Sequence, residues 1–428
     1  MNYSETIDFL FSSLPMYQRT GAAAYKNSLD TTIALDKAHS HPHKKFKSIH
    51  IAGTNGKGSV SHMLAAILQS AGYKTGLYTS PHLVDFRERI RINGRMIPED
   101  EIIEYVSENQ SNIEDLKPSF FEMTVDMAFM YFAKQNVDIA VIETGMGGRL
   151  DSTNILDPIL SIITNIGMDH MRFLGNNIRD IAVEKAGIIK KNTTVIIGES
   201  DEQTFHVFSD ISTAKNAKII FADQIFTHNH SFISPDRNIS HNFSSENKEY
   251  DSLLTDLKGA YQKKNIITVL AALDELIKNG TTIPDQAIYD GMSNVTGLTG
   301  LRGRWEEIAY NPLTICDSGH NESGIREVVD QILNTAYKSL HIVWGMVSDK
   351  DAISILRLLP KEASYYFTKA SIPRSLDENE LMKIAKGPGL IGNSFPNVSQ
   401  ALESAQRNAE PQDLIFIGGS SFVVGEVL

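Results

Sequence analysis

Short runs of apolar and β-branched residues alternate along this chain with longer stretches whose apolar positions recur every three or four residues. Residues 46–52 (FKSIHIA) read as a buried strand, and 53–59 (GTNGKGS) as a glycine-rich loop. Val60, Met63, Leu64, Ile67 and Leu68 then recur at helical spacing, and Gly72 closes that helix. Further strands are expected at 138–142, ending at Glu143; at 159–164, ending near Asn165 and followed by Asp169-His170; and at 194–197. Strands separated by helical segments predict a parallel sheet with helices on both faces.

From about 199 to 257 the texture is polar, rich in Asn and Ser, with short apolar runs. This predicts an irregular or hairpin-rich insertion within the first domain. Residues 265–279 return to helix, with Ile266, Val269, Leu270, Leu273 and Ile277 on one face. Residues 291–303 carry four glycines and no long apolar run, which suits an inter-domain linker. A second alternation follows, with buried strands expected at 313–317, 341–344, 365–368 and 414–417. The expected class is α/β. A P-loop-type parallel-sheet domain is expected over 1–295, and a smaller Rossmann-like α/β domain over 296–428.

Composition narrows the function classes. The 428 residues are 42% hydrophobic and 21% charged, a globular balance long enough for two or three domains. The formal charge of −12 speaks against sequence-independent binding to nucleic acid or to anionic lipid. It also requires a protein handling anionic ligands to concentrate positive charge locally. The single cysteine, Cys316, excludes an intrachain disulfide and a Cys-based zinc site, and its apolar surroundings suggest a small buried hydrophobe. Glu5 and Asp8 argue against a signal peptide, and no stretch of about 18 apolar residues predicts a spanning helix. The expected location is a reducing cytoplasm.

The loop carries the chemistry. Its backbone N–H groups, at the start of a helix, can converge on phosphate oxygens, and Lys57 can reach the β- and γ-phosphates. Thr54, Asn55, Gly56, Lys57, Gly58 and Ser59 are the candidate phosphate contacts. The strict pattern G-x-x-x-x-G-K-[ST] is not met, because Ile51 stands at its first glycine, Gly58 takes the hydroxyl position and Ser59 is displaced by one.

This variant loop resembles that of the Mur-type ligases, which join a carboxylate to an amine using ATP. Further motifs resemble the folylpolyglutamate synthase and dihydrofolate synthase family within that group. They are Thr79-Ser80-Pro81-His82-Leu83 with Phe86, Glu88-Arg89-Ile90 and Asn93-Gly94; Glu143 to Asp151 (ETGMGGRLD); Asp169-His170; and Glu184-Lys185-Ala186-Gly187-Ile188. Tyr261-Gln262 with Asn265, Gly303-Arg304, Asp317 with His320-Asn321, Asp349-Lys350 and Gly419-Ser420 complete the series in the family's order.

The resemblance implies ATP-driven amide formation through an acyl phosphate, with the amino group of L-glutamate as nucleophile. It implies that Ser80, Glu143 and His170 ligate Mg²⁺, and that Lys185 is carbamylated by CO₂ and supports a second ion. It implies that Arg304, Asp317 and His320 meet the nucleotide or the incoming glutamate across a cleft, and that Asn265 contacts adenine or ribose. Lys57, Lys185, His170, Asp317 and His320 are the implied catalytic set. Three departures from the family pattern bear on the second domain: Leu301 for a frequent proline, Ser318-Gly319 for the usual small pair, and Glu322 for a common proline.

Two folate substrates fit the resemblance, 7,8-dihydropteroate and tetrahydrofolate. Ser119, Phe120, Phe121 and Glu122 would suit a flat pterin, Phe by stacking and the carboxylate by accepting N–H groups. Leu150, Asp151 and Ser152, after Gly147-Gly148-Arg149, resemble the dihydropteroate segment of bifunctional bacterial members, which implies both activities. Neither nucleic acid nor membrane is expected as a partner, and the chain is expected to be a monomer. His39, His41, His43 and His50, and likewise His206, His228, His230 and His241, fit no standard ligand spacing and are expected to bind no metal. Trp305 and Trp344 are expected to be packing residues.

Overall fold

The computed structural model describes residues 1–16, 26 and 28–428. The chain divides into two compact units, one of residues 1–256 and 262–301 and the other of residues 257–261 and 302–428.

The first unit is built on an eight-stranded sheet. Its strands are β1 (Lys47–Ala52), β2 (Thr75–Tyr78), β3 (Ile90–Ile92), β4 (Arg95–Met96), β5 (Ile139–Glu143), β6 (Leu160–Ile163), β7 (Val195–Ile197) and β8 (Ile219–Phe221). Their order is β4-β3-β2-β5-β1-β6-β7-β8. All neighbours are parallel except β2–β3 and β3–β4. The central strands β5 and β6 are largely apolar, and β1 is buried at every position after Lys47, because helices cover both faces. On one side the helix Lys57–Ser70 is buried at every position from Ser59 to Leu68, between the sheet and the helices Gln262–Lys278 and Asp285–Ser293. Leu10, Leu35, Phe86, Phe120, Phe129 and Phe132 belong to another core cluster of this unit, with Ala140 and Ile142 of β5.

Two expectations are corrected here. The polar stretch 199–257 is not an insertion throughout. The helix Glu202–Ala214 and β8 extend the main sheet by one more βα step, parallel to β7. That helix buries only Thr204, Phe208 and Ser212, so its apolar stripe is too thin to read from sequence. Only the remainder is separate: β9 (Thr227–Ile233), β10 (Ile239–Ser244) and β11 (Glu249–Thr255) form an antiparallel sheet of order β11-β10-β9. The glycine-rich segment 291–303 is not a linker. It continues the helix Asp285–Ser293 into the short helix Val295–Thr299, and a Cβ on Gly291 would lie 2.6 Å from Ile67 Cα. Gly291 allows close helix packing, and the unit boundary falls after Leu301.

The second unit holds β12 (Glu306–Ala309), β13 (Leu313–Cys316), β14 (Leu340–Trp344), β15 (Ser364–Phe367), β16 (Ile391–Ser394) and β17 (Leu414–Gly418). Their order is β12-β13-β17-β14-β15-β16, parallel except for the edge strand β12. Trp305 and Trp344 lie in one core cluster and Cys316 in another, as packing residues. Strands β12 and β16 escape the sequence reading because each is an edge strand without a fully buried face.

Candidate active site around the phosphate loop

The loop after β1 is held from three directions within the first unit. Thr54 N–H donates to the Asn165 carbonyl (3.0 Å), and Asn55 N–H donates to Asn165 Oδ1 (2.9 Å). Thr54 Oγ1 donates to the Gly167 carbonyl (3.1 Å) and accepts Gly167 N–H (2.9 Å). Thr164 Oγ1 donates to the Asn55 carbonyl (2.5 Å). Gly56, the N-cap of the following helix, has φ +83°, and a Cβ there would sit 2.2 Å from Asn265 Oδ1. Only glycine meets both conditions. Asn265 Nδ2 donates to Gln262 Oε1 (2.7 Å), and Gln262 Nε2 donates to Ser59 Oγ (3.2 Å). Asn265 is therefore a wall of the loop itself.

Two lysines converge on one carbonyl. Lys57 Nζ donates to the carbonyls of Gly53 and Thr54 (3.2 Å each), and Lys185 Nζ donates to the Gly53 carbonyl (2.7 Å). Lys185 is 4% exposed, on the last turn of the helix Ile178–Ala186. Burial first, and the Lys57 ammonium second, push its pKa down to about 7. The loop thus gathers two amines at one point of an acidic chain, the one on Lys185 held largely neutral.

The carboxyl ends of β2 and β5 bring Ser80 and Glu143 together, Ser80 N–H donating to Glu143 Oε2 (3.1 Å). Glu143 is 4% exposed. His170 takes a left-handed conformation at the start of the short helix Met171–Leu174, and its N–H donates to Asp169 Oδ1 (2.8 Å).

Asp151 acts on the loop that follows Glu143. Its Oδ2 accepts the N–H groups of Gly145 (2.8 Å) and Met146 (2.9 Å), and its Oδ1 accepts Thr153 N–H (3.0 Å) and Thr153 Oγ1 (2.5 Å). Thr153 Oγ1 also meets His50 Nε2 from β1 (2.8 Å). The loop packs backbone to backbone on the Lys185 helix. Arg149 N–H donates to the Glu184 carbonyl (2.7 Å), and a Cβ on Gly187 would lie 2.3 Å from Arg149 Cα.

Several of the expected pterin residues also have roles within the fold. Asp151 has both oxygens engaged in shaping the loop, and Ser152 lies buried in the turn Ser152–Ile155. Ser119 and Glu122 form a reciprocal capping box at the start of the helix Phe120–Lys134, and Lys26 pairs with Glu122 (2.8 Å). Phe120 is buried, stacked on Phe11 at 5.3 Å. Phe121 alone of that tetrapeptide borders the loop, with its Cζ 2.5 Å from where a Gly145 Cβ would stand. Leu150 is only half-buried beside Arg149. The bracing roles of Thr164, Asn165 and the His50–Thr153 pair escape the sequence reading, because their partners are distant in sequence and no local pattern marks them, whereas Gln262 stands in the motif with Asn265.

The second unit carries its own polar cluster. Asp317 is buried; its Oδ2 accepts the Tyr261 hydroxyl (2.6 Å) and Trp305 N–H (2.7 Å), and its Oδ1 accepts Gly319 N–H (2.8 Å). Arg304 donates to the Gly303 carbonyl and to Ser318 Oγ, and His320 Nδ1 meets the Ser318 carbonyl (3.0 Å). Arg304, Asp317 and His320 thus come together around Ser318-Gly319. Glu322 leaves that course intact, since Asn321 caps the helix Glu322–Leu333 and Glu322 pairs outward with Arg326.

A family model described as the Mur ligase middle domain matches residues 51–273, and one described as the Mur ligase glutamate ligase domain matches residues 303–421. The dihydrofolate synthase/folylpolyglutamate synthase of Bacillus subtilis is 30% identical over 406 residues, covering 90% of this chain and 91% of that protein. Escherichia coli FolC, solved in complex with DHPP and ADP, superimposes with a TM-score of 0.87 at 27% identity, covering 100% of this chain and 97% of its own. A bifunctional folylpolyglutamate synthase/dihydrofolate synthase with Mn, AMPPNP and L-glutamate bound gives 0.85 at 26%, covering 100% and 97%.

Proposed function

Because the chain belongs to the dihydrofolate synthase/folylpolyglutamate synthase family of Mur ligases, we propose that it joins L-glutamate to the carboxylate of a pterin substrate, and that it accepts both dihydropteroate and tetrahydrofolate. It is an ATP-dependent ligase. The observation that carries the finer reading is the convergence of Lys57 and Lys185 on the Gly53 carbonyl, inside a loop braced from three directions.

In this reading the substrate carboxylate attacks the γ-phosphorus of ATP, ADP leaves, and an acyl phosphate forms. The amino group of glutamate attacks the acyl carbon, loses a proton, and inorganic phosphate departs. The chain holds two anions together and neutralises charge as it develops. Lys57 and the N–H groups from Gly56 to Ser59 take the triphosphate, while Thr54 and Asn55, tied to Asn165, fix the loop's course. A buried carboxylate at a strand's carboxyl end, beside Ser80, is a hard oxygen donor set that fits Mg²⁺. Glu143, Ser80 and His170 are the proposed ligands. When bound, the ion neutralises phosphate charge. Asn265 and Arg304 are proposed nucleotide contacts, and Asp317 and His320 are proposed to serve the nucleotide or the incoming glutamate.

Lys185 fits carbamylation, in which a neutral amine adds CO₂ and releases one proton. With a pKa of about 7, roughly three-quarters of it is neutral at pH 7.5, against ~0.1% for an ordinary lysine. The carbamate keeps one N–H to donate to Gly53.

Purified enzyme given ATP, Mg²⁺ and glutamate with each pterin in turn tests the proposal, with products weighed by mass spectrometry. A +glutamate product from both substrates is expected. Product from tetrahydrofolate alone removes the dihydrofolate synthase activity, and product from neither removes the reading.

A further inference from the structure

The histidines before β1, set aside on their spacing, acquire a partner in the fold. Asp36 lies in the last turn of the helix Asp30–Ala38, and its side chain is buried. The chain then doubles back. His41 N–H donates to the Asp36 carbonyl (2.8 Å), and Pro42–Lys45 make a 3₁₀ turn that leads into β1. The return places two imidazoles on one carboxylate. His41 Nδ1 lies 2.6 Å from Asp36 Oδ2, and His43 Nδ1 lies 2.5 Å from Asp36 Oδ1. One potential ligand atom from each of the three residues lies within 4.8 Å of the others. His43 is buried, while the His41 side chain is 46% exposed, so the cluster opens to solvent on one side.

Two features go beyond an ordinary hydrogen-bonded turn. A carboxylate in the last turn of a helix faces the negative end of the macrodipole, where a cation is favoured. Ser40 and His41 are consecutive non-glycine residues in the left-handed region, at φ +57° and +56°. That conformation is unfavourable for L-residues with a Cβ, and the surroundings must compensate it.

We propose that Asp36, His41 and His43 form a binding site for a divalent transition-metal ion of the Zn²⁺, Co²⁺ or Ni²⁺ kind. Both Nδ1 atoms and the carboxylate are the ligands, and the remaining position faces solvent. Two imidazoles and one carboxylate suit these ions rather than Mg²⁺ or Ca²⁺. Ligand arms of ~2.1 Å in a tetrahedron separate neighbouring donors by about 3.4 Å. The three ligand atoms lie within 4.8 Å of one another, and because the imidazoles meet different oxygens of Asp36, the carboxylate turns one oxygen to the ion as both N···O contacts are replaced. Each imidazole moves its proton from Nδ1 to Nε2, with no net proton change. The ion ties the end of the helix Asp30–Ala38 to the turn entering β1, the strand that carries the phosphate loop.

The test uses the full-length chain, stripped with chelator and kept in millimolar Mg²⁺. Zn²⁺ is titrated calorimetrically, and Co²⁺ by its visible ligand-field absorption. The expected result is one equivalent of Zn²⁺ that is lost in His41→Ala and retained in His228→Ala. A low-coordinate Co²⁺ spectrum should disappear with it, and Zn²⁺ should raise the thermal midpoint of the parent chain but not of His41→Ala. His41→Gly separates binding from folding. Glycine suits the left-handed backbone, so this variant should unfold at or above the metal-free parent's temperature and still lose the equivalent. No Zn²⁺ uptake by the parent at ~100 µM free ion, or equal uptake by the parent and His41→Ala, overturns the proposal.

Discussion

Replacing Lys185 by Met removes a buried amine whose pKa is about 7 in the fold and 10.5 in the reference state. The difference is 3.5 units, which at about 1.36 kcal/mol per unit is roughly 5 kcal/mol of differential stability. The sign follows from proton counting. Between pH 7 and 10.5 the unfolded chain holds this proton and the folded chain does not, so the term favours folding increasingly as pH rises. It is fully present above about pH 10.5 and is lost as pH falls through 7. From pH 7 to 9 the parent should therefore gain roughly 2 kcal/mol relative to Lys185→Met, allowing for half-titration at pH 7. Denaturant unfolding in CO₂-free buffer at several pH values measures it. Both tryptophans, Trp305 and Trp344, lie in the second unit, so their fluorescence reports the wrong transition. Far-UV circular dichroism, or hydrogen exchange in the helix Ile178–Ala186, reports the first. Parallel pH–stability curves for the two proteins would refute the placement of a neutral amine at this site. Adding bicarbonate at pH 8 should then add mass 44 to the parent's Lys185 peptide in native-condition trapping, with none on the Met variant.

Other consequences are direct. Gly56→Ala pushes a Cβ against Asn265 and should lower ligase turnover by at least ~100-fold, and adding Asn265→Ala should recover only part, because φ +83° remains. Asp151→Ala leaves the Gly145, Met146 and Thr153 donors without their acceptor and should reduce unfolding free energy by about 3 kcal/mol, read in urea. Glu143→Gln should raise the Mg²⁺ concentration for half-maximal rate at least ~10-fold, with little change in thermal midpoint. Gly291→Val should destabilise the first unit by ~1–3 kcal/mol, because its side chain would enter the backbone of the helix Lys57–Ser70 at Ile67.

Legibility differed between elements for physical reasons. The strands 138–142 and 159–164 were legible because β5 and β6 are buried on both faces and so read as near-continuous apolar runs. Lys57 was legible because it opens a helix after a glycine-rich loop, and Glu143 because it ends a strand. The antiparallel edge formed by β3 and β4 was not, since five residues with Arg91 and Arg95 among them carry little apolar signal. The segment 291–303 misled because glycine marks a turn and a close helix contact equally well.

The order of short apolar strands and amphipathic helices, with a glycine-rich loop at the first junction, determined an α/β ligase scaffold and the position of its phosphate loop, because burial on two faces and the need for backbone N–H groups at a phosphate are local demands. Tertiary structure decided which polar groups serve that loop. Lys185 meets Gly53 across 132 positions, Asn265 walls Gly56, Asp151 turns inward to hold Gly145 and Met146, and Asp36 gathers His41 and His43. A side chain's spacing in sequence says what it could bind. The hydrogen bonds already made in the fold say which of those capacities remain free.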